Sequence, residues 1–475
     1  MNRSANSLLL LTIIVLEGYV VLSTELLAIR LTIPFVGSGT DTVSIIIAAV
    51  LMPLAFGYYA GGQFRPRRFG KHFLTIRKKL VLNIVISMGI LLVGLSYPLL
   101  RSFFPVLAQS GIDGRLAQTA VYAALFLATP VYLLGQTIPL ISNFFSKDEL
   151  SRITGRILFF STLGSFMGAT VSTLVLMSTI GVHYTAAVNF GILTLLAFLL
   201  SKKKTGELPL FALLIAIIAT LLNSGTVLRS LHVVKDNRYN TIAVYEHDGE
   251  RYLTINHNNS SLYTNAGRKH PYIHFIENNI LKDVWNRVPP KNILVIGAGG
   301  FTLGFEDRTN SYDYVDIDGD LKEIAETYIL KEPLLPNKHF HAVPARAFLT
   351  QKGKNYDLIV LDAFLGRTTM PEHLITREFF EQVKARLNTH GIVVANFITS
   401  PGFVTPFSRH IDNTFRSVFP HISRHVIGEN YMPWDTNPNI MANIMYIYND
   451  QPGADASKIY TDDKNTAYMD KPQRH

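Results

Sequence analysis

The sequence has no cysteine. Disulfides, thiolate metal sites and a cysteine nucleophile are therefore excluded. Charge is scarce as well: 17% of the 475 residues are Asp, Glu, Lys or Arg, against about a quarter in ordinary soluble proteins. Acids are scarcer than bases, 35 against 44. With a mean hydropathy of +0.21, this composition argues against a wholly soluble chain. The length suggests roughly two to four domains.

What is present is unevenly placed. Residues 1–228 hold 17 Lys and Arg and 7 Asp and Glu; residues 229–475 hold 27 and 28. The first part is therefore +10 and the second −1. A pI near 9.4 raises nucleic acid as a partner, but the soluble part has no excess base with which to bind it.

The first part contains seven apolar runs, about 7–33, 41–64, 79–107, 117–145, 153–180, 183–201 and 207–228. Each approaches the roughly 20 residues that a helix needs to cross a bilayer. The first is too long, and lacks the small-residue cleavage site, for a signal peptide. A multi-pass protein of the cell membrane is expected, with lipid as its first partner. Basic residues gather in alternate loops: Arg65 to Lys79, then Lys147, Arg152 and Arg156, then Lys202 to Lys204. Such loops favour the cytoplasm. Seven crossings then carry residues 229–475 outside, and a change of one crossing reverses this. Glu17, Glu25 and Arg30 lie within the first run. Ionisable groups there are functional candidates, although Glu25 and Arg30 could pair or Arg30 could snorkel.

After His232 the pattern changes. TIAVYEHDGERYLTI (241–255) reads as a hairpin around Asp248-Gly249. A helix over 270–287 leads to strand NILVIGAGG (292–300). Strands YDYVDID (312–318), KHFHAV (338–343), YDLIVLD (356–362) and GIVVANF (391–397) follow, with helices between them near 374–388 and 404–418. Strands near 421–428 and 440–448 close the pattern. Alternation of this kind implies a doubly wound, mostly parallel sheet. The expected fold is thus an α-helical membrane bundle over 1–228, a β-hairpin and linking helix over 229–290, and a Rossmann-like α/β domain over 291–475.

Ligands of such sheets bind at the carboxyl ends of the strands. Those ends carry Gly297, Gly299, Asp316, Asp318, Asp362 and Asn396. The glycines permit a tight turn and close backbone approach. Asp316 lies 19 residues after Gly297, the spacing of an acid that bonds ribose hydroxyls. The third glycine of a dinucleotide turn is replaced by Thr302, which favours an adenosyl ligand over a nicotinamide one. His339 and His341 share a strand face without a third ligand at metal spacing, so no metal site is expected. Glu372 and His373 either flank a pocket or begin a helix. No GxSxG elbow is present.

The hairpin, ILVIGAGG, VDID and above all the run from Asp362 through Phe379, with Pro371, His373, Leu374, Thr376 and Glu378, resemble the spermidine synthase (polyamine aminopropyltransferase) family. The similarity is greatest to its membrane-fused branch. The resemblance implies a class I methyltransferase-type fold and no tightly bound cofactor. It also implies a homodimer and transfer of an aminopropyl group from decarboxylated S-adenosylmethionine, as co-substrate, to an amine such as putrescine. It puts Asp362 in the catalytic, proton-accepting position, and Asp316 with Asp318 and Asn240 on the donor. Tyr239, Tyr272 and Asn396 fall on the amine side. The chain departs from the family at Gly300 and Leu365, where acids are usual, at Pro344, which replaces another acid, and at Phe301, where a small residue is usual. A binding protein without turnover, for a nucleoside or a polyamine, and a transport-linked role stay open beside the enzyme. So does the side of the membrane: the charge pattern points outside, the donor to the cytoplasm.

Overall fold

The computed structural model describes residues 3–69, 72–144, 150–282, 289–364, 370–420, 422–428, 437, 440–448 and 459–467. The chain divides into two compact units. One comprises Met1–Val36, Thr42–Leu231 and Asp236–Arg238; the other comprises Gly37–Asp41, His232–Lys235 and Tyr239–His475.

The first unit is helical. Helices α1 (Arg3–Val36) and α2 (Thr40–Gln63) are followed by a two-stranded hairpin, β1 (Arg67–Phe69) and β2 (His72–Leu74). Then come α3 (Ile76–Gly94), α4 (Tyr97–Gln109), α5 (Arg115–Ser142), α6 (Ile153–Thr179), α7 (Gly181–Leu200) and α8 (Glu207–Leu222). Among the described residues six helices are long and apolar enough to cross a membrane, and up to seven spans result if α3 and α4 count as one. The run expected over 79–107 is bent: α3 and α4 meet at an angle of 68°. Pro98 stands in the first turn of α4, after Ser96 at its N-cap. Proline has no N–H to continue the ladder and disfavours helical backbone before it.

Helices pack closely where small residues let their backbones approach. Gly164 and Gly168 on α6 do this: a Cβ there would lie 2.1 Å from the Val15 carbonyl oxygen and 2.3 Å from that of Tyr19. Arg30 is held by Asp236, at 3.2 Å, and by the Asn237 carbonyl, at 2.8 Å. Of the two alternatives raised for Arg30, pairing with Glu25 thus gives way to partners on another segment. Residues five apart on a helix do not face each other.

The second unit has two sheets. The smaller has the order β3 (Val233–Asp236), β4 (Thr241–His247), β5 (Glu250–Ile255) and β6 (Asn258–Thr264). Its β4–β5 turn has positive φ at both Asp248 (51°) and Gly249 (77°), the backbone that matches strand twist. The expected hairpin is thus the centre of a larger sheet.

The main sheet has seven strands: β7 (Asn292–Ile296), β8 (Ser311–Asp316), β9 (Lys338–Ala342), β10 (Tyr356–Leu361), β11 (Leu387–Thr399), β12 (Ile422–Ile427) and β13 (Ala442–Tyr448). Their order is β12-β13-β11-β10-β7-β8-β9. All neighbours from β11 to β9 are parallel, while β13 runs antiparallel to both β11 and β12. A late antiparallel strand inserted beside the fifth parallel one gives the class I methyltransferase-type arrangement. Runs such as NILVI and YDLIVL are apolar throughout because both faces of the sheet are covered. One core packs Ile359, Phe380, Phe397 and Phe415; the other packs Ile293, Phe301, Tyr314 and Leu358.

The elements beside the sheet are α9 (Pro271–Ile276), continued by a π-helical turn Glu277–Leu281, then α10 (Leu321–Ile324), α11 (Ala345–Thr350), α12 (Arg377–Ala385) and α13 (Pro406–Arg416). The helix expected over 374–388 is shorter. Glu372 and His373 form a 3-10 turn with Leu374, and Thr376 caps α12 by accepting the Phe379 N–H.

Candidate active site

The strand order reverses between β7 and β10, which opens a crevice at their carboxyl ends. The turn after β7 begins with Gly297, whose N–H donates to the Val315 carbonyl (2.9 Å) while the Asp362 N–H donates to that of Ile296 (2.8 Å). Gly297 has φ +96°, and a Cβ on it would lie 2.4 Å from the Asp362 carbonyl oxygen. Only glycine satisfies both demands.

Asp316 ends β8. One of its oxygens accepts the Ala298 N–H (3.1 Å) and the other the Asp318 N–H (3.0 Å). Burial lifts its carboxyl to about 6, against those N–H groups. Asp318 is buried and accepts the Asn240 amide (2.8 Å), and Asn240 in turn accepts from Asn256 (2.8 Å). Asn240 therefore braces the acidic turn from the smaller sheet.

Asp362 follows β10. Its two oxygens accept from Asn396 of β11 (2.8 Å) and from the Tyr272 hydroxyl of α9 (3.0 Å). Burial raises its carboxyl to about 7, and these two donors oppose the rise. A carboxylate poised near neutral pH is suited to general-base work. The Tyr272 hydroxyl is pushed well above its usual range, chiefly by burial and then by Asp362. Tyr239, half-buried, sits directly before Asn240, whereas the direct bonds to Asp362 come from Tyr272 and Asn396.

The departures have physical settings. The Gly300 N–H donates to Ser261 Oγ of β6 (2.8 Å), and a Cβ at Gly300 would lie 2.9 Å from Ser261 Cβ. Phe301 takes φ +57° and is fully buried, with Tyr314 and Phe340 at 5.1 and 5.2 Å between ring centres. Pro344 is the N-cap of α11, and Arg346 two residues on makes a bidentate pair with Asp462 (3.1 and 3.0 Å). Leu365 lies outside the described residues. His341 is accounted for by Asp313 at 2.8 Å, which also accepts from Lys354 and Tyr356. Burial would raise the Asp313 carboxyl, but the Lys354 and His341 bonds outweigh it and hold it low. Among the described residues no three His, Asp or Glu side chains gather at metal distance.

Sequence reasoning overlooked two residues. Ser261 closes on the glycine turn from 39 positions away. His270 stacks on Tyr272, with ring centres 5.8 Å apart and planes 14° apart. Only its place two residues before Tyr272 could have drawn notice.

No family model matches the chain. A polyamine aminopropyltransferase of Vibrio vulnificus (strain CMCP6) is 33% identical over 222 residues, which are 44% of this chain and 71% of that protein. Among solved structures, a probable spermidine synthase from Corynebacterium glutamicum is 18% identical, covering 46% of this chain and 80% of its own, with a TM-score of 0.39. The spermidine synthase of Thermotoga maritima is 16% identical, covering 49% and 82%, with a TM-score of 0.33.

Proposed function

The chain belongs to the polyamine aminopropyltransferase, or spermidine synthase-like, family and is a transferase by that membership, and we propose that it is a membrane-anchored one whose soluble domain moves an aminopropyl group from decarboxylated S-adenosylmethionine to an amine. Asp362, held by Tyr272 and Asn396 and lifted by burial to about 7, is the observation that carries this reading.

In the reaction, the lone pair of a neutral amine nitrogen attacks the aminopropyl carbon attached to the sulfonium. The carbon–sulfur bond breaks, its electron pair goes to sulfur, and methylthioadenosine leaves. The new ammonium then gives up its extra proton, and Asp362 takes it. Asp316 and Asp318, with the turn at Gly297 and Gly299, serve the nucleoside part of the donor. The Asp316 carboxylate is fixed by two backbone N–H groups, which aims it as a ribose-hydroxyl acceptor. No resident cofactor is required.

The test is formation of methylthioadenosine by the purified full-length protein from decarboxylated donor plus a panel of amines. Turnover abolished by Asp362→Asn supports the reading; wild-type inactivity across all amines refutes it. The packing of Ser261 against Gly300, where the family usually has an acid, favours a second reading in which the site binds the donor without turning it over. Methylthioadenosine binding without any turnover would select that one.

Anchoring rests on the apolar helices. The cytosolic donor calls for an even number of crossings, which results if the bent pair α3–α4 enters and leaves on one face. A reporter fused after His475 decides: a cytoplasmic signal fits the enzyme, and an outside signal opposes it.

A further inference from the structure

One polar group beside Tyr272 has no part in the chemistry above. His270 immediately precedes α9, and its ring lies nearly parallel to that of Tyr272, 5.8 Å away. Tyr272 in turn donates to Asp362. His270 therefore lies against one face of the ring whose hydroxyl bonds Asp362. The His270 Nε2 is buried and has no hydrogen-bond partner. Burial lowers the imidazole to about 4, so the ring is neutral at neutral pH. A neutral imidazole carrying its proton on Nδ1 offers Nε2 as an acceptor. Leaving that atom unmatched is unfavourable, and a ligand donor relieves it.

We propose that His270 positions the far end of the acceptor: its Nε2 accepts a hydrogen bond from a second polar group of the amine whose nucleophilic nitrogen lies at Asp362. This rests on the transferase reading for the role of Asp362. A carboxylate at such a place would demand a second positive charge. A neutral ring nitrogen demands only an N–H or O–H, because the bond it accepts needs no counter-charge. The acceptor class is therefore a primary amine bearing a second hydrogen-bond donor, and it takes in diamines and amino alcohols alike.

The experiment is calorimetric titration of the full-length protein in lipid nanodiscs, saturated with methylthioadenosine. Three probes of matched length are used: 1,4-diaminobutane, 4-amino-1-butanol and 1-aminobutane. The first two are expected to bind about tenfold more tightly than the third, the equivalent of one hydrogen bond. His270→Phe keeps a ring against Tyr272 and removes the acceptor, so the three should then bind within about twofold of one another. His270→Gln, which retains an acceptor, should restore part of the difference. Unchanged methylthioadenosine affinity in both variants reports an intact domain. Equal binding of the three amines to the wild type overturns the proposal. So does discrimination that survives in His270→Phe, or binding of the diamine alone. A parallel turnover measurement separates the two ideas. Discrimination without turnover removes the transferase reading and leaves His270 its role, while turnover without discrimination removes only the role of His270.

Discussion

The hydrogen bond from Tyr272 to Asp362 predicts a shift in the pH dependence of the reaction. The base must be ionised and the amine must be neutral. An alkylammonium loses its proton near the lysine value of about 10.4, and Asp362 does so at about 7. Below both values, log kcat/KM for the amine should rise two units per pH unit. Above about 7 only the amine still titrates, and the slope should fall to one. The break therefore reports Asp362. Tyr272 donates to the charged form at 3.0 Å and so lowers this pKa. A hydrogen bond to a charged group contributes about 1.5–3 kcal/mol, and one pKa unit corresponds to about 1.36 kcal/mol. Tyr272→Phe should thus move the break upward by about one to two units, towards about pH 8–9. Methylthioadenosine release followed from pH 5.5 to 9 would show it. The same amine is used throughout, so its own titration cancels between the two proteins. A single slope across that range, or a break that stays in place in Tyr272→Phe, refutes the assignment of Asp362 as the base.

Three further outcomes follow from the same geometry. Asp362→Asn should abolish turnover yet raise the thermal midpoint at pH 8. The folded-state pKa of Asp362 lies above its unfolded value, so the folded protein holds a proton that the unfolded chain has lost. Stability therefore falls as pH rises from about 4 to 7, by a penalty on the order of 4 kcal/mol from the size of the shift. The neutral variant escapes that penalty, so its advantage should vanish by about pH 4, as differential calorimetry at the two pH values would reveal. Gly297→Ala should cost about 3 kcal/mol or more and abolish donor binding, because the residue needs φ +96° and has the Asp362 carbonyl 2.4 Å from any Cβ; denaturation and methylthioadenosine titration would measure both effects. Gly164→Val should separate α1 from α6, since its Cβ would fall 2.1 Å from the Val15 carbonyl oxygen, and loss of the monodisperse species in detergent gel filtration is the readout.

Much of the soluble fold was legible because its strands are buried on both faces and read as unbroken apolar runs. Asp248-Gly249 gave the hairpin turn, and the acids ending β8 and β10 gave the crevice. Strand β6 was not legible: its sequence NNSSLYT is polar at the start, and burial is confined to its last four residues, Ser261 to Thr264. Nor was the bend between α3 and α4, since hydropathy runs on through Ser96 and Pro98 while the backbone does not. The placing of candidate residues was legible where it follows from a strand end, as for Asp316 and Asp362. It was not legible where the surroundings depend on a distant partner. Asn240 bonds Asp318 across 78 positions, and His270 matters through a ring that it faces only after folding.

The missing acid at Gly300 shows how such a partnership changes the meaning of a departure. By sequence alone, loss of a carboxylate from the glycine turn suggests decay of the site. In the fold, Ser261 fills the space a side chain would need and satisfies the Gly300 N–H. A buried N–H left open would cost about 1–3 kcal/mol, so the serine and the glycine support each other, and neither tolerates an acid at this position unless the other moves. The turn that carries Gly297 and Gly299 is thereby fastened to β6, while the Asp316 carboxylate bonds it through the Ala298 N–H. The change redistributes charge around the turn without loosening it, and it leaves Asp362 hydrogen-bonded to both Tyr272 and Asn396. A site decaying without constraint would have no reason to keep the turn tied down while its acid is lost. The departure at Gly300 is thus a repacking of the glycine turn, and the turnover assay with Asp362→Asn decides between the two readings of the site.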